Sequence, residues 1–356
     1  MDISVIIVSY NVQHFLEQCI LSVQAASENV VTEIIVVDNN SSDNTCKLLL
    51  EKYPDIILIQ NQQNVGFSKA NNQGVEVAKG KYVLILNPDT VIAEDTLIKI
   101  KNFTDATQNI GVLGVKLIDG SGNFLPESKR GIPTAKVSFN KLFGVTNKQK
   151  GKYYATHLSE NETGKVDILV GAFMFLKKEV YEEVHGFDED YFMYGEDIDL
   201  SYKILKKGYQ NYYYANTQVI HYKGESTKKD IKYLKCFNNS MHIFYNKHFK
   251  RNLVYDFFMR FGMYCWYLTK YFSYKFYKKT IKPILNVLYL GSNKKVVNYF
   301  EKKYLVVNDE LIDQYVQIKL LIDNKNIDTI VFDNSITTNK KIIQHFQELK
   351  IGRAHV

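Results

Sequence analysis

Short apolar runs alternate with longer segments of mixed apolar and polar residues over the first part of the chain. The runs VIIV, IIVV and VLIL are apolar at every position, which is typical of strands buried on both faces of a sheet. The segments between them repeat apolar residues at helical spacing. This alternation predicts an α/β fold in which helices sandwich a mostly parallel sheet.

The pattern also predicts where the first strands and helices begin and end. One helix opens on Ser-Ser-Asp, a combination that suits an N-cap. The predicted strands are Ile3–Ser9, Glu33–Asp38, Ile56–Gln60 and Tyr82–Leu86, and the predicted helices are Asn11–Ala26, Ser41–Tyr53 and Phe67–Ala78.

Polar side chains follow three of these strands at the point where each leaves the sheet. Asp38 ends the second strand, Asn87 and Asp89 flank a proline after the fourth, and residues 9–11 follow the first. Proline stops the ladder and fixes the turn. Ligands of open α/β sheets bind beyond the carboxyl ends of the strands. Together these residues predict a site for a polar ligand, although any single Asp or Asn could simply start a turn.

The chain changes character after Thr227, where long helical patterns begin. The stretch from Lys228 to Lys282 contains 13 Lys and Arg residues and two acidic residues, which gives it a net charge of +11. The rest of the chain therefore has a net charge of about −4. The same stretch holds 17 of the 48 aromatic residues. Such a mixture is typical of a helix in a membrane interface, and we expect a peripheral membrane contact through 252–282. Packing against the preceding domain explains the pattern equally well. Asp256 and Arg260, four residues apart, could pair.

A second, partial α/β unit is predicted beyond this segment. It comprises a strand at Ile284–Leu290, helical stretches at 294–304 and 310–322, the strand in DTIVFDNS and a last helix. A lone glycine after its first strand is only a weak sign of nucleotide binding. The last six residues, IGRAHV, back-translate to a sequence that resembles a sequencing adapter, so we expect the natural chain to continue past Lys350. The expected divisions are 1–226, 227–283, 284–350 and an artefactual tail at 351–356.

Composition narrows the class of protein. The 46% hydrophobic and 23% charged residues are those of a globular chain. The four cysteines show neither CxxC spacing nor close pairing, which argues against a zinc site or a disulfide framework. The N-terminus lacks the features of a signal peptide, and no window holds about 18 uncharged apolar residues. We expect a cytoplasmic protein, peripheral on the cytoplasmic face of the inner membrane if 252–282 binds lipid, with no nucleic-acid partner.

Six segments, in order, resemble family 2 glycosyltransferases with the GT-A fold. They are VIIVSYN, EIIVVDNNSSDNT, NVGFSKANNQG, YVLILNPD, the stretch Gly171–Gly208 that contains GEDIDL, and HYKGES. They span Ile3–Ser226 and look most like rhamnosyltransferase-like enzymes of bacterial surface polysaccharide synthesis. The resemblance implies inverting transfer from a nucleotide sugar, with dTDP-L-rhamnose the expected donor, to a glycan or polyprenyl-linked acceptor.

The resemblance also implies a divalent metal, Mg²⁺ or Mn²⁺. A diphosphate leaving group gains negative charge as the sugar departs, and a cation can absorb it. Asp89 matches the last acid of the family's metal-binding motif, and His221 a further ligand. A histidine packed at a strand end is the alternative for His221. Asn87 stands where the family usually has its first acid, which leaves the metal preference open.

Other residues are expected, by resemblance, to bind the nucleotide sugar. Asp38 matches the acid that bonds the base or ribose, and the glycine of NVGFSKANN would let the backbone approach a ligand. That turn could equally be a plain helix start. The expected nucleotide-sugar residues are Ser9, Tyr10, Asn11, Asp38, Asn64, Gly66, Asn71 and Asn87.

The GEDIDL segment is expected to supply the base that takes the acceptor's proton. Asp197 matches the family's base, with Glu196 beside it as a second catalytic candidate. On a helix, Glu196 and Asp199 diverge from the face of Asp197, so we expect one acid to face the substrate. For Glu196 and Asp199, the alternative is that they are acids at a helix start that the helix dipole favours. The expected acceptor residues are Gly171, Asp188, Tyr191 and Tyr194, with core packing the alternative for both tyrosines.

Two other classes of function compete with this interpretation. A nucleotidyltransferase would need a loop rich in glycine and arginine after the first strand, and SYNVQHFL contains neither residue. A non-catalytic nucleotide- or sugar-binding protein is suggested only by the missing acid at Asn87. Replacing Asp197 by Asn would separate an enzyme from a binder.

Overall fold

A computed structural model describes most of the N-terminal half and parts of the remainder. The described residues are 1–134, 153–223, 231–249, 261–262, 264, 267–269, 271, 286–291, 293–301, 305–308, 318, 327, 329–334, 336–349 and 354–355. The predicted Asp256–Arg260 pair, and nearly all of the predicted helix at 310–322, lie outside them.

The first strands and helices follow the sequence pattern closely. Both α1 and α2 begin a few residues later than predicted, because Asn11 has a left-handed φ of 55° and the Asp43 side chain turns the chain by accepting the Thr45 N–H at 3.1 Å. The elements are β1 (Ile3–Ser9), α1 (Gln13–Ala26), β2 (Thr32–Asp38), α2 (Thr45–Lys52), β3 (Ile57–Gln60), α3 (Phe67–Val77) and β4 (Tyr82–Leu86).

Further strands and helices complete the first sheet and its cover. A short 3₁₀ turn, Pro126–Ser128, follows β6. The elements are β5 (Thr90–Ile92), α4 (Thr96–Ala106), β6 (Ile110–Ile118), β7 (Gly164–Val166), β8 (Phe173–Lys177), α5 (Lys178–Glu183), α6 (Glu196–Lys206), β9 (Gln210–His221) and α7 (Ile231–His248).

The strand directions bring several loops to one edge of this sheet. The order is β3-β2-β1-β4-β8-β6-β9-β5, with β7 paired to β9. Strands β1 to β4 are parallel, β8 runs antiparallel between β4 and β6, and β9 is parallel to β6. The carboxyl ends of β1, β2, β4 and β9 therefore share an edge with the amino ends of the antiparallel β5 and β8. The α/β class is confirmed.

Both faces of the sheet are buried. Along β1, Val5 and Ile7 belong to one hydrophobic cluster, and Ile6 and Val8 to another on the opposite face. Because side chains alternate across a strand, a sheet covered on both faces needs apolar residues at every position. The VIIV-type runs therefore mark the centre of the fold.

A second parallel sheet forms the C-terminal unit, with its strands in the order Leu305–Asn308, Asn286–Leu290, Thr329–Phe332 and Ala354–His355. Its apolar residues share a core with Val91, Ile118 and Ile220 of the first sheet. Among the described helices, none is long and apolar enough to cross a bilayer. The elements are β10 (Asn286–Leu290), α8 (Lys294–Glu301), β11 (Leu305–Asn308), β12 (Thr329–Phe332), α9 (Asn339–Leu349) and β13 (Ala354–His355).

Candidate active site

The ends of β1 and β2 carry buried polar atoms that have no partner among the described residues. Asp38 is 2% exposed, and its Oδ2 accepts the Ser41 N–H at 2.9 Å. Its Oδ1 and the Ser9 Oγ are buried without a hydrogen bond to that part of the chain. Since buried polar atoms in folded proteins are nearly always bonded, such orphans at a loop edge mark places where a ligand can bond.

The loops after these two strands hold each other in place. The Asn11 N–H donates to Ser41 Oγ at 2.9 Å, and Asn11 Oδ1 accepts the Ser42 N–H at 2.7 Å. Tyr10 is 41% exposed beside them. Its ring is therefore open to a planar ligand group such as a base.

The NVGFSKANN segment contacts the loop before α6. Gly66 has φ +90°, and a Cβ there would lie 2.6 Å from the Phe192 carbonyl oxygen, which accepts the Phe67 N–H at 2.8 Å. The close approach that requires this glycine is thus to Phe192. Asn64 Oδ1 accepts the Gly66 N–H at 3.0 Å, and the buried Asn71 Oδ1 has no partner within the described ranges.

Asp89 and His221 lie side by side at the same edge. Asp89 directly precedes β5, His221 ends β9, and the antiparallel register pairs Thr90 with His221. The His221 Nε2 lies 3.4 Å from Asp89 Oδ1 and 3.4 Å from the Asn87 Nδ2. Asp89 Oδ1 and His221 Nδ1 are buried and make no hydrogen bond to any residue that the structure describes.

This pair fits a divalent ion that takes most of its ligands from substrate. A carboxylate and an imidazole suit Mn²⁺, and Mg²⁺ is usually held by one or two carboxylates with phosphate and water. Within the described ranges, no group of three His, Cys, Asp or Glu could hold a metal by itself. Among the described residues, Cys19, Cys46 and Cys236 are free thiols.

Asp197 is joined to the Asp89 side of the site through two adjacent residues. The Asn87 N–H donates to the Ala172 carbonyl at 3.0 Å, and the Gly171 N–H donates to Asp197 Oδ2 at 3.1 Å. A Cβ at Gly171 would lie 3.3 Å from the Asp197 Cβ, so a larger residue here would have to displace the Asp197 side chain slightly. The structure therefore brings both expected acids to the amino end of β8.

The three acids at the start of α6 are all buried, each in a different environment. The Arg130 Nη2 donates to Asp197 Oδ2 at 2.6 Å. Asp199 contacts His248 Nε2 at 2.5 Å and the Lys203 Nζ at 3.4 Å. Asp199 therefore points away from Asp197, as the helical spacing predicts. It is buried and lies between His248 and Lys203.

Glu196 is the acid of this group whose titration is most altered. Burial and the neighbouring charge of Asp197 raise its pKa to about 8, and its buried Oε2 has no hydrogen-bond partner in the described part of the chain. A carboxyl group with this pKa holds its proton at neutral pH.

The expected acceptor residues Asp188, Tyr191 and Tyr194 lie in different environments. Burial alone would raise the pKa of Asp188, but its hydrogen bond from Lys247 lowers it. Tyr194, with φ 73°, packs its ring against Tyr233 and Phe237 of α7. Tyr191 is 0% exposed in a hydrophobic cluster, so the expectation that it offers an aromatic face to a sugar is corrected to core packing.

The sequence pattern does not predict that Arg130 belongs to the site. It lies in the loop after β6, where no motif marks it, and reaches Asp197 only because its backbone pairs with Ile168 in both directions at 2.9 Å. A single arginine in a polar loop gives no signal in one sequence. Its partner is far away along the chain.

The glycosyl transferase family 2 model matches residues 4–185, more than half of the chain, which includes the β1, β2 and β4 strand ends. The chain belongs to glycosyltransferase family 2. A second model, described as the N-terminal domain of galactosyltransferase, matches residues 160–250, which include α6 and α7. The family assignment makes this protein a glycosyltransferase, as the six segments predict.

Two relatives are named for L-rhamnosyl transfer and for minor teichoic acid biosynthesis. The chain is 26% identical over 255 residues to the N-acetylglucosaminyl-diphospho-decaprenol L-rhamnosyltransferase of Mycobacterium tuberculosis, covering 67% of this chain and 82% of the relative. It is 27% identical over 252 residues to the minor teichoic acid biosynthesis protein GgaB of Bacillus subtilis, covering 67% of this chain but 25% of that protein.

A solved structure of GalNAc-T7 with UDP, GalNAc and Mn²⁺ has the same fold. It matches with a TM-score of 0.50 at 16% identity and covers 76% of this chain and 57% of that one. This likeness supports a GT-A fold for the present chain. The Mn²⁺ is part of the GalNAc-T7 structure.

Proposed function

We propose that this family 2 glycosyltransferase transfers a sugar with inversion from a nucleotide sugar, dTDP-L-rhamnose, to a polyprenyl-linked or glycan acceptor in surface polysaccharide synthesis. The observation that carries the proposal is the convergence of Asp38, the Asp89–His221 pair and Asp197 at one sheet edge, together with several polar atoms that no described residue satisfies. The name of the mycobacterial relative supplies the expected donor sugar and acceptor class.

In the proposed step, Asp197 is the base. It takes the proton of an acceptor hydroxyl while the hydroxyl oxygen forms a bond to the anomeric carbon. The bond from that carbon to the diphosphate oxygen breaks on the opposite face, and its electron pair leaves with the nucleoside diphosphate. The proton passes from Asp197 to water after the product departs.

The proposed metal residues are Asp89 and His221, which would hold Mg²⁺ or Mn²⁺ against the diphosphate. A bound ion supplies positive charge where negative charge develops on the leaving group. Asp38, Ser9 and the Tyr10 ring are proposed to hold the nucleoside on the opposite side of the same edge. The Oδ1 of Asp38, which no described residue contacts by a hydrogen bond, suits a ribose hydroxyl or a base N–H.

A groove beside α7 supports an anionic, lipid-linked acceptor. The cavity measures about 490 Å³, and each residue that lines it can donate a hydrogen bond, with no carboxylate among them. The opposite face of α7 contacts the loop before α6, where Ser240 Oγ donates to the Met193 carbonyl at 3.0 Å. The lining residues are Lys235, Asn238, His242, Tyr264 and Tyr267.

We place the enzyme at the cytoplasmic face of the inner membrane, held peripherally through residues 252–282. The charge of +11 between Lys228 and Lys282 supports attraction to anionic lipid. Most of 252–282 lies outside the described residues.

Donor identity can be tested by thermal shift with a panel of nucleotide sugars, with and without Mn²⁺. A ligand that binds only the folded state raises the melting temperature. We expect dTDP-L-rhamnose with Mn²⁺ to give the largest rise. A larger rise with a UDP- or GDP-sugar would overturn the donor assignment, and no rise with any member would overturn the function.

Catalysis separates the enzyme from a binding protein. We expect Asp197→Asn to lower turnover by about 10²–10⁴-fold, the usual contribution of a general base, while dTDP-L-rhamnose still raises the melting temperature. Full turnover in this variant would remove Asp197 as the base.

The acceptor groove is tested by charge reversal. We expect Lys235→Glu to raise KM for a polyprenyl-diphosphate-linked N-acetylglucosamine and to leave KM for the donor unchanged. The control is Lys47→Glu, because Lys47 is an exposed cation on α2 outside the groove. Equal behaviour of the two variants would contradict the assignment of the groove.

A further inference from the structure

Two buried cations, Lys129 and Arg130, follow the 3₁₀ turn after β6 and have different partners. Lys129 is 4% exposed, and its Nζ donates to the carbonyl oxygens of Ala155 at 3.2 Å and Leu158 at 2.7 Å. Arg130 is 8% exposed and points to the opposite side of the chain, toward the start of α6. One cation thus binds backbone, and its neighbour binds the proposed base.

The Arg130 guanidinium fixes one oxygen of that base. Its Nη2 donates to Asp197 Oδ2 at 2.6 Å and to the Leu169 carbonyl at 2.8 Å. The Gly171 N–H donates to the same Oδ2 at 3.1 Å. Within the described part of the chain, Asp197 Oδ1 accepts one bond, from the Ile198 N–H at 2.8 Å. A carboxylate has about four acceptor positions, so Oδ1 keeps room for a further proton donor.

The surroundings of the Arg130 guanidinium favour its charged form. Burial lowers the pKa of Arg130, but the adjacent Asp197 charge outweighs burial and raises it above the ordinary value. The Tyr153 side chain, which hydrogen-bonds Arg130, adds to this effect. The guanidinium therefore remains charged, and a buried charge must be paired.

We infer that Arg130 is the positioning residue for the catalytic base: it holds Oδ2 of Asp197, so that Oδ1 receives the proton of the acceptor hydroxyl. The inference rests on the proposed function of Asp197.

The test compares Arg130→Met, Arg130→Lys and Lys129→Met in the full chain. We expect Arg130→Met to lower kcat about 10²-fold, the effect of misplacing a catalytic group, with KM for dTDP-L-rhamnose nearly unchanged. The acid limb of its pH–rate profile should move to higher pH, because a carboxylate without its cation takes up a proton more readily. Arg130→Lys should restore part of kcat and return the limb toward that of the wild type.

Lys129→Met is the matched control for folding. It removes a buried cation from the adjacent position, so a loss of stability alone should lower the melting temperature of both Met variants. We expect the acid limb of the pH–rate profile to stay in place in Lys129→Met. If both Met variants lose kcat equally with no shift of the limb, Arg130 is structural and the inference fails.

Asp197→Asn distinguishes this failure from failure of the proposed function. If Asp197→Asn is inactive while Arg130→Met has the wild-type kcat and pH profile, the result supports Asp197 as the base and excludes the positioning role of Arg130. If Asp197→Asn is fully active, the proposed base is wrong and the inference falls with it. A further loss from Arg130→Met in the Asp197→Asn background would also contradict action through Asp197.

Discussion

Asp89 and His221 meet because β5 and β9 run antiparallel in a register that pairs Thr90 with His221. Asp89 directly precedes β5 and His221 is the last residue of β9, so the sheet sets the backbone position of both residues. Asn87 lies 3.4 Å from the same imidazole, at the position where the family resemblance implies another acid. The number of carboxylates around this histidine should therefore set the affinity for metal.

We predict opposite effects of two substitutions on metal dependence. Asp89→Asn should raise the Mn²⁺ concentration for half-maximal activity at least about 10-fold, since even outer-shell changes at metal sites cost this much. Asn87→Asp should lower that concentration, because it adds a hard anionic ligand. Activity measured against Mn²⁺ concentration tests both, and an unchanged midpoint in Asp89→Asn would exclude Asp89 as a ligand.

Glu196 makes stability depend on pH. Its pKa is raised from 4.5 to about 8, first by burial and then by Asp197, so the folded chain binds this proton more tightly than the unfolded chain. Its contribution to stability is complete below about pH 4.5 and is lost as the pH rises to about 8. We predict that Glu196→Gln flattens the fall in melting temperature across this window. Parallel curves for wild type and variant would show that Glu196 titrates normally.

At the scale of elements, α3 and the loop before α6 depend on each other. The amino end of α3 leaves its first N–H groups without helical partners, and the Phe192 carbonyl satisfies that of Phe67. This contact requires Gly66, where both φ and the space exclude a side chain. The loop on the proposed nucleotide side is thereby tied to the loop on the proposed acceptor side.

Two glycine substitutions can separate backbone strain from this contact. Gly208 has φ +95°, and no atom of the described residues lies within 4 Å of the position that a Cβ would take, so Gly208→Ala should cost only the left-handed strain, roughly 1–2 kcal/mol. Gly66→Ala adds a clash with the Phe192 backbone and should lower the free energy of unfolding by more. Chemical denaturation of both variants measures the difference, and equal losses would show that the Phe192 contact yields easily.

At the scale of the whole molecule, the C-terminal unit packs against β5 and β9, the two strands that position Asp89 and His221. Val91 of β5 and Ile220 of β9 belong to the core that includes Ile342 and Phe346 of α9. Glu94 binds the amino end of α9, with its two oxygens accepting the N–H of Asn339 at 2.6 Å and of Lys340 at 2.9 Å. A carboxylate at this end also complements the helix dipole.

We predict that Glu94→Ala loosens α9. Loss of a helix N-terminal acceptor costs about 1 kcal/mol, so the amides of 339–349 should exchange hydrogen faster than in the wild type. Glu51→Ala is the control, because Glu51 is 64% exposed and pairs with Lys47 four residues earlier on α2. Unchanged exchange in Glu94→Ala would mean that the shared apolar core alone holds the unit in place.

The sequence by itself determined the α/β alternation, the bounds of β1 and β4, and the polar strand ends at Asp38 and Asp89, because these depend on local periodicity and turn chemistry. It did not determine that β8 runs antiparallel between β4 and β6, that Tyr191 is buried, or that Arg130 contacts Asp197. Those features depend on which distant segments pair and on how far each side chain is removed from water. Only the folded sheet decides them, since strand order and burial are properties of the assembled core and leave no periodic trace in the chain.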